Sequence, residues 1–187
     1  MLTAAAYDIH VEQLLERLRR FHAVLSAAGI AYRVVGGMGV FIHVFEQNPE
    51  QARLTADVDV GIAREDLDRI TQAAEQNGFR FGHVAGVDMF VDADRPLARP
   101  AAHLVFLNEK VFADYSEPVP SSEPVRTREG VPIAPVVDLV HMKLTSYRLK
   151  DQVHIQDLDH AGLITPEIEQ TLSAPLLARL KEVVSKR

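Results

Sequence analysis

Over the first 110 residues helical and strand patterns alternate, and beyond a proline-rich stretch only helical patterns remain. That order predicts an α/β or α+β fold with a small helical cap. Two further observations support it: apolar residues switch repeatedly between three- or four-residue spacing and strict alternation, and 187 residues fit one domain with a short appended part.

Taken in order, residues 11–28 place Leu14, Leu15, Leu18, Phe21, Val24 and Leu25 on one helical face, stopped by Gly29. Residues 31–35 are short and partly β-branched and read as a strand. Gly36 and Gly37 end it, and a helix over 38–45 starts directly behind them. After a polar loop around residues 47–51, residues 57–62 alternate acid and aliphatic as a strand does. A helix over 65–77 turns Leu67, Ile70 and Ala74 inward and closes at Gly78. Strands are expected over 87–91 and 103–107, joined by a connection over 94–100. Residues 116–135 hold five of the ten prolines and mark the one plausible boundary, between a core over 1–115 and a helical part over 136–187. In that part helices are expected over 136–149, 153–161 and 166–184, the last with proline at its first position.

Composition narrows the function. The chain is 47% hydrophobic and 25% charged, an ordinary folded composition. Lys plus Arg number 20 against 26 Asp plus Glu, a formal charge of −6, which argues against a module that grips nucleic acid by neutralising phosphates and against an extended nucleic-acid footprint. With no cysteine there is no disulfide, thiolate metal site or thiol nucleophile, so any metal falls to histidine and carboxylates. No run nears the roughly 20 apolar residues of a membrane span. The N-terminus lacks a basic region followed by an apolar one, so a cytoplasmic protein without a leader is the expectation.

Two clusters carry the chemistry. On a strand, Asp57 and Asp59 stand on one face while Val58 and Val60 point to the other. Two such carboxylates repel, and a cation between them removes the cost. Hard oxygen ligands suit Mg²⁺, which keeps waters and takes further ligands from substrate phosphates. Solvated acids on an exposed strand are the alternative reading of a lone pair. Gly36-Gly37, between a strand and a helix, let a phosphate approach the backbone where helix N–H groups point outward; a plain tight turn is the alternative. Together the two clusters weigh more than either alone.

The run VVGGMGVFIHV, followed by Arg53-Leu54-Thr55-Ala56-Asp57-Val58-Asp59, resembles the hGG…R-x-T-x-D-h-D signature of the DNA polymerase β-like nucleotidyltransferase superfamily, and within it the bacterial branch of abortive-infection, toxin-type nucleotidyltransferases. The resemblance covers roughly residues 32–162. It implies an α+β core with a small mixed β-sheet flanked by helices, completed by the C-terminal helical part. It also implies transfer of a nucleoside monophosphate from a nucleoside triphosphate to a hydroxyl, with Mg²⁺ or Mn²⁺ on Asp57 and Asp59 and the triphosphate on Gly36 and Gly37. Arg53 and Thr55 match the signature; Arg53 either contacts phosphate or pairs with an acid. In that branch a helical lysine and an acid in a following K/R-D-x-x-D-like stretch complete the site. Lys143 matches the lysine and Asp157 the acid, with Asp151 competing; a lysine whose amine snorkels to water is the alternative for Lys143.

One departure stands out. Many members carry a third carboxylate on a neighbouring strand, where this chain has His103. A neutral imidazole accepts a proton near pH 7 or ligates Mn²⁺ or Zn²⁺, or His103 is a strand residue without a role; Asp88 and Asp92 are other candidates for the acid. The expected activity is therefore a nucleotidyltransferase whose acceptor is a small molecule, an RNA end or a protein hydroxyl; the resemblance to the toxin-type branch adds a toxin-like role with a cognate antitoxin to the expectation. The rivals are a nucleotide- or partner-binding protein that kept the fold without turnover, and a metal-dependent phosphohydrolase using the same acids.

Overall fold

The computed structural model describes residues 4–55, 57–94 and 102–185, with side chains from Glu12 onward. Helix α1 (Ala4–Ala27) buries Leu14, Leu18, Phe21 and Leu25 along one stripe. Strand β1 (Tyr32–Val35) runs straight into α2 (Gly36–Gln47). A short 3₁₀ turn (Pro49–Gln51) precedes β2 (Asp59–Ile62), and a second (Arg64–Asp66) leads into α3 (Leu67–Glu75). Strands β3 (Phe79–Val84), β4 (Val87–Asp92), β5 (Ala102–Phe106), β6 (Val125–Arg126) and β7 (Pro132–Ile133) follow. Helices α4 (Val136–Ser146), α5 (Leu149–His160), α6 (Pro166–Thr171) and α7 (Ala174–Val184) end the described chain.

The seven strands form one mixed sheet in the order β3-β4-β5-β2-β1-β7-β6. Strand β2 lies antiparallel to β1 and parallel to β5, and β7 is parallel to β1. The α+β class with a flanked mixed sheet is thus the one the sequence predicts. Four features differ. Strand β3 was not anticipated; it pairs antiparallel with β4 across a turn in which Ala85 and Gly86 both have positive φ (51° and 80°), the backbone twist that favours tight hairpins. The proline-rich connection supplies β6 and β7 to the sheet, Ile133 pairing with Val34. The helix expected over 136–149 stops earlier, at Tyr147, whose left-handed φ of 49° turns the chain into α5, and the last helix is split by extended Leu172 and Ser173. The connection over 94–100 lies outside the described residues from 95 onward.

The two sides of the sheet bury different helices. Val58, Val60, Ile62, Phe90, Ala102 and Leu104 pack with Phe21 and Leu25 of α1 and Ile70 and Ala74 of α3. Val35 and Val105, which share the opposite face, join Val40 and Val44 of α2 to Leu139 and Leu144 of α4, Ile155 and Leu158 of α5 and Leu176 and Leu180 of α7. Among the described residues no helix is long and apolar enough to cross a membrane.

Candidate active site

The site is built where β1 becomes α2. The register pairs Val35 with Asp59, so the Asp59 carboxylate comes up beside the first residue of α2. That residue is Gly36, with φ +66°, and a Cβ there would lie 1.9 Å from Asp59 Oδ2. Only glycine accommodates both the left-handed backbone and the carboxylate. At Gly37 a Cβ would stand 2.7 Å from Thr55 Oγ1 and 3.2 Å from His154 Cε1. No side chain caps the start of α2, so its first N–H groups are left for another acceptor.

Beside Asp59 in the parallel register stands His103. Its Nδ1 lies 3.3 Å from Asp59 Oδ1, and its own backbone N–H donates to Val58 O at 2.8 Å, which carries the ladder one residue toward Asp57. The hydrogen bond to Asp59 raises the imidazole pKa; burial opposes it, and the charges of Asp59 and Asp57 reinforce it. Asp88 and Asp92 are elsewhere. The β4–β5 register pairs Met89 with His103, which puts Asp88, Phe90 and Asp92 on the other face, toward α1. There Arg20 binds Asp92 at 2.6 Å, and Asp88 pairs with His83 at 2.5 Å. Of the three candidates for the third site group, His103 is the one that adjoins Asp59.

The helical part closes over this face. Lys143 Nζ donates to Asp151 Oδ1 at 3.0 Å, with both side chains buried. Asp151 also accepts from Ser146 Oγ at 2.8 Å and from Arg148 Nε at 2.7 Å. Burial alone would raise the pKa of Asp151, but the Arg148 hydrogen bond, the Lys143 charge and the Ser146 hydroxyl hold it at about 2. Burial keeps the Lys143 ammonium below the usual lysine range, offset by Asp151 and, further off, by Asp59. Arg148 likewise feels Asp59, its pKa raised first by Asp151. The cations of α4 and α5 thus stand within electrostatic reach of the strand carboxylate.

The structure sets Asp151, not Asp157, against Lys143. Asp157 sits two turns along α5 and holds Arg53 Nε at 2.9 Å, tying the segment before β2 to the helix. Burial raises its pKa and Arg53 lowers it. Arg53 therefore pairs with an acid, one of its two expected roles, while its side chain stays 64% exposed. Arg148 and His154 were not singled out from the sequence. A signal for His154 was present, since Lys150-Asp151 with His154 three residues on fits the K/R-D-x-x-D-like stretch with histidine in place of the second acid; Arg148 had none.

No protein-family model matches the chain, and no curated protein matches it in sequence. Solved structures do resemble it. The Megavirus polyadenylate synthase superposes with a TM-score of 0.54 at 11% identity, over 81% of this chain and 32% of that one, so this chain spans about a third of that protein. ANT(2″)-Ia, crystallised in complex with adenylyl-2″-tobramycin, superposes with a TM-score of 0.52 at 12% identity, over 94% of this chain and 98% of that one. The arrangement of sheet and helices is one that this chain shares with these two structures. At these identities the likeness is one of fold.

Proposed function

We propose that this chain is a metal-dependent nucleotidyltransferase that moves a nucleoside monophosphate from a nucleoside triphosphate to a hydroxyl acceptor. The observation that carries the reading is the contact of Gly36 with Asp59, which sets a bare helix N-terminus against a carboxylate. The donor set fits Mg²⁺ or Mn²⁺. Asp57 and Asp59 offer hard oxygens, and among the described residues no group of three or more His, Asp or Glu is close enough to hold an ion unaided. A site of that kind takes its remaining ligands from water and substrate phosphates. When bound, the ion supplies neutralisation of charge developing on the transferred phosphoryl group.

The chain's own groups have separate tasks. The N–H groups of Gly36 and Gly37 bind the phosphate chain at the α2 dipole, beside Thr55. Lys143, held by Asp151, and Arg148 add positive potential within electrostatic reach of Asp59. His103, with Nδ1 donating to Asp59, can take the proton of the acceptor hydroxyl on Nε2 when the ring is neutral, a state that the hydrogen bond to Asp59 and the charges of Asp59 and Asp57 shift toward higher pH. Asp157 acts through Arg53, fixing the strand that carries the acids.

A small-molecule hydroxyl is the acceptor the reading favours over an RNA end or a protein, because this chain spans nearly all of ANT(2″)-Ia, whose structure holds an adenylylated tobramycin. The toxin-type role and a cognate antitoxin rest on the sequence resemblance alone. A second reading, nucleotide binding without turnover, is favoured by one observation: His103 stands where a third carboxylate was expected. Incubation with labelled nucleoside triphosphates, Mg²⁺ or Mn²⁺ and a panel of hydroxyl compounds separates the two. Label should reach an acceptor and vanish with Asp57→Ala or Asp59→Ala, whereas metal-dependent binding with no transfer to any acceptor would establish the second reading.

A further inference from the structure

His154 is a polar group at this site that the proposed reaction does not use. It stands on α5 three residues past Asp151, with its Cε1 3.2 Å from the place of a Cβ on Gly37. Its Nδ1 is buried and has no hydrogen-bond partner. Among the described residues Nε2 has no hydrogen-bond partner either, and it is not sealed in; the ring is only partly buried. Because Cε1 lies between the two nitrogens, Nε2 opens beside the Gly37 backbone.

The ring is neutral at physiological pH. Burial first, and then the charges of Lys143, Lys150 and Arg148, push its pKa down to about 4 against the pull of Asp151. A neutral imidazole has one N–H to place. Burying an N–H without an acceptor is costlier than burying a bare lone pair, so the proton belongs on Nε2 and the sealed Nδ1 is left unprotonated. That leaves an uncharged donor pointing out next to the first turn of α2.

We propose that His154 is a phosphate-contacting residue of the nucleotide site, its Nε2–H donating to an oxygen of the phosphate chain seated at Gly37. The inference rests on the nucleotidyltransferase reading and adds a binding residue to it. A neutral donor suits the place. Lys143, Arg148 and Lys150 already supply cationic potential, and a protonated ring among them would be repelled; the uncharged N–H adds direction without that repulsion. Gly37 is bare for a related reason: any side chain there would meet the His154 ring and Thr55 Oγ1 before a phosphate arrived.

The test uses Mg²⁺ tripolyphosphate, a phosphate chain without a base, titrated calorimetrically into the full chain. Glutamine places an amide nitrogen near the position of Nε2, and asparagine places one near Nδ1. His154→Gln should bind within about threefold of the unaltered protein. His154→Asn and His154→Ala should bind about tenfold to a hundredfold more weakly, as expected for a lost hydrogen bond to a charged group. The His154 Cε1–H resonance should also move on saturation. Urea titration of each variant establishes that it is folded. Equal weakening in His154→Gln and His154→Asn, or equal binding by all variants with an unmoved resonance, overturns the role of His154 while leaving the nucleotide site intact. Failure of the unaltered protein to bind tripolyphosphate overturns both the role and the parent reading.

Discussion

On one face of β2 and β5, Val58, Val60, Ile62, Ala102 and Leu104 are buried in hydrocarbon against α1 and α3; one residue along, on the other face, Asp59 and His103 meet the charges of α4 and α5. The same short strands therefore build both regions, because the strand period of two separates them. The apolar face holds the fold by area removed from water, which is non-directional and tolerant. The charged face depends on individual atoms: a carboxylate against a glycine, an ammonium against a carboxylate, a ring against a helix N-terminus. Substitutions should expose that difference.

The largest effect is expected at Gly36. An alanine there would meet Asp59 Oδ2 at 1.9 Å and would hold a left-handed φ. The backbone cost is about 1–2 kcal/mol. The functional cost is greater, since the Asp59 carboxylate must move by an ångström or more, a displacement that costs on the order of a hundredfold in rate. Gly36→Ala should therefore keep a cooperative melt and lose about a hundredfold or more of nucleotidyl transfer. Transfer within a few-fold of the unaltered protein would show that Asp59 is not held where the chemistry needs it.

Next is a contrast in stability. Asp151→Ala strands the buried Lys143 ammonium and should cost about 3–5 kcal/mol in urea unfolding, the scale of breaking a buried pair from one side. Phe21→Ala on the apolar face should cost a similar 3–5 kcal/mol by leaving a cavity. The two losses differ in kind. Adding Lys143→Met to Asp151→Leu should recover most of the first, because a buried ion pair replaced by hydrocarbon is often neutral. Asp157→Ala, by contrast, frees an exposed Arg53 to water and should cost about 1 kcal/mol or less. If the double substitution were as damaging as Asp151→Ala alone, the Lys143–Asp151 pair would not be what joins α4 to α5.

The same division explains what the sequence disclosed. Alternation over 57–62 and the stripe through Leu14, Leu18 and Phe21 are periodic, and periodicity survives in one dimension. The glycine turn is contiguous and was legible too, whereas the strand expected from residue 57 begins at Asp59, with Asp57 just before it. Strand β7 was hidden by Pro132, its own first residue, and Pro135 just beyond it, and the turn from α4 to α5 by Tyr147, a left-handed residue with no glycine to announce it. The choice between Asp151 and Asp157 was illegible for a similar reason. Both lie on α5, and only the angle at which α4 meets α5 decides which one faces Lys143. His154 was invisible because its place beside Gly37 joins residues 117 positions apart, the difference between 154 and 37.

The smallest expected effect is a pH slope, and it belongs to the charged face alone. His154 has a folded pKa of about 4 against 6.5 for the free side chain, so between those values the unfolded chain binds a proton that the folded chain refuses. Stability from this group is fully present above about pH 6.5 and falls as pH drops toward 4, by at most about 1.4 kcal/mol per pH unit. Burial is the largest cause, followed by the charge of Lys143 from α4 and those of Lys150 and Arg148 at the start of α5, with Asp151 opposing them. Glutamine does not titrate, so the stability of the unaltered protein minus that of His154→Gln should be flat above pH 7 and decline steadily from 6.5 to 4.5. The same difference taken against Phe21→Ala should stay flat throughout, since hydrocarbon burial has no proton to exchange. Parallel curves for the unaltered protein and His154→Gln would mean that the ring is as easily protonated folded as unfolded, and the neutral donor beside Gly37 would be lost with it.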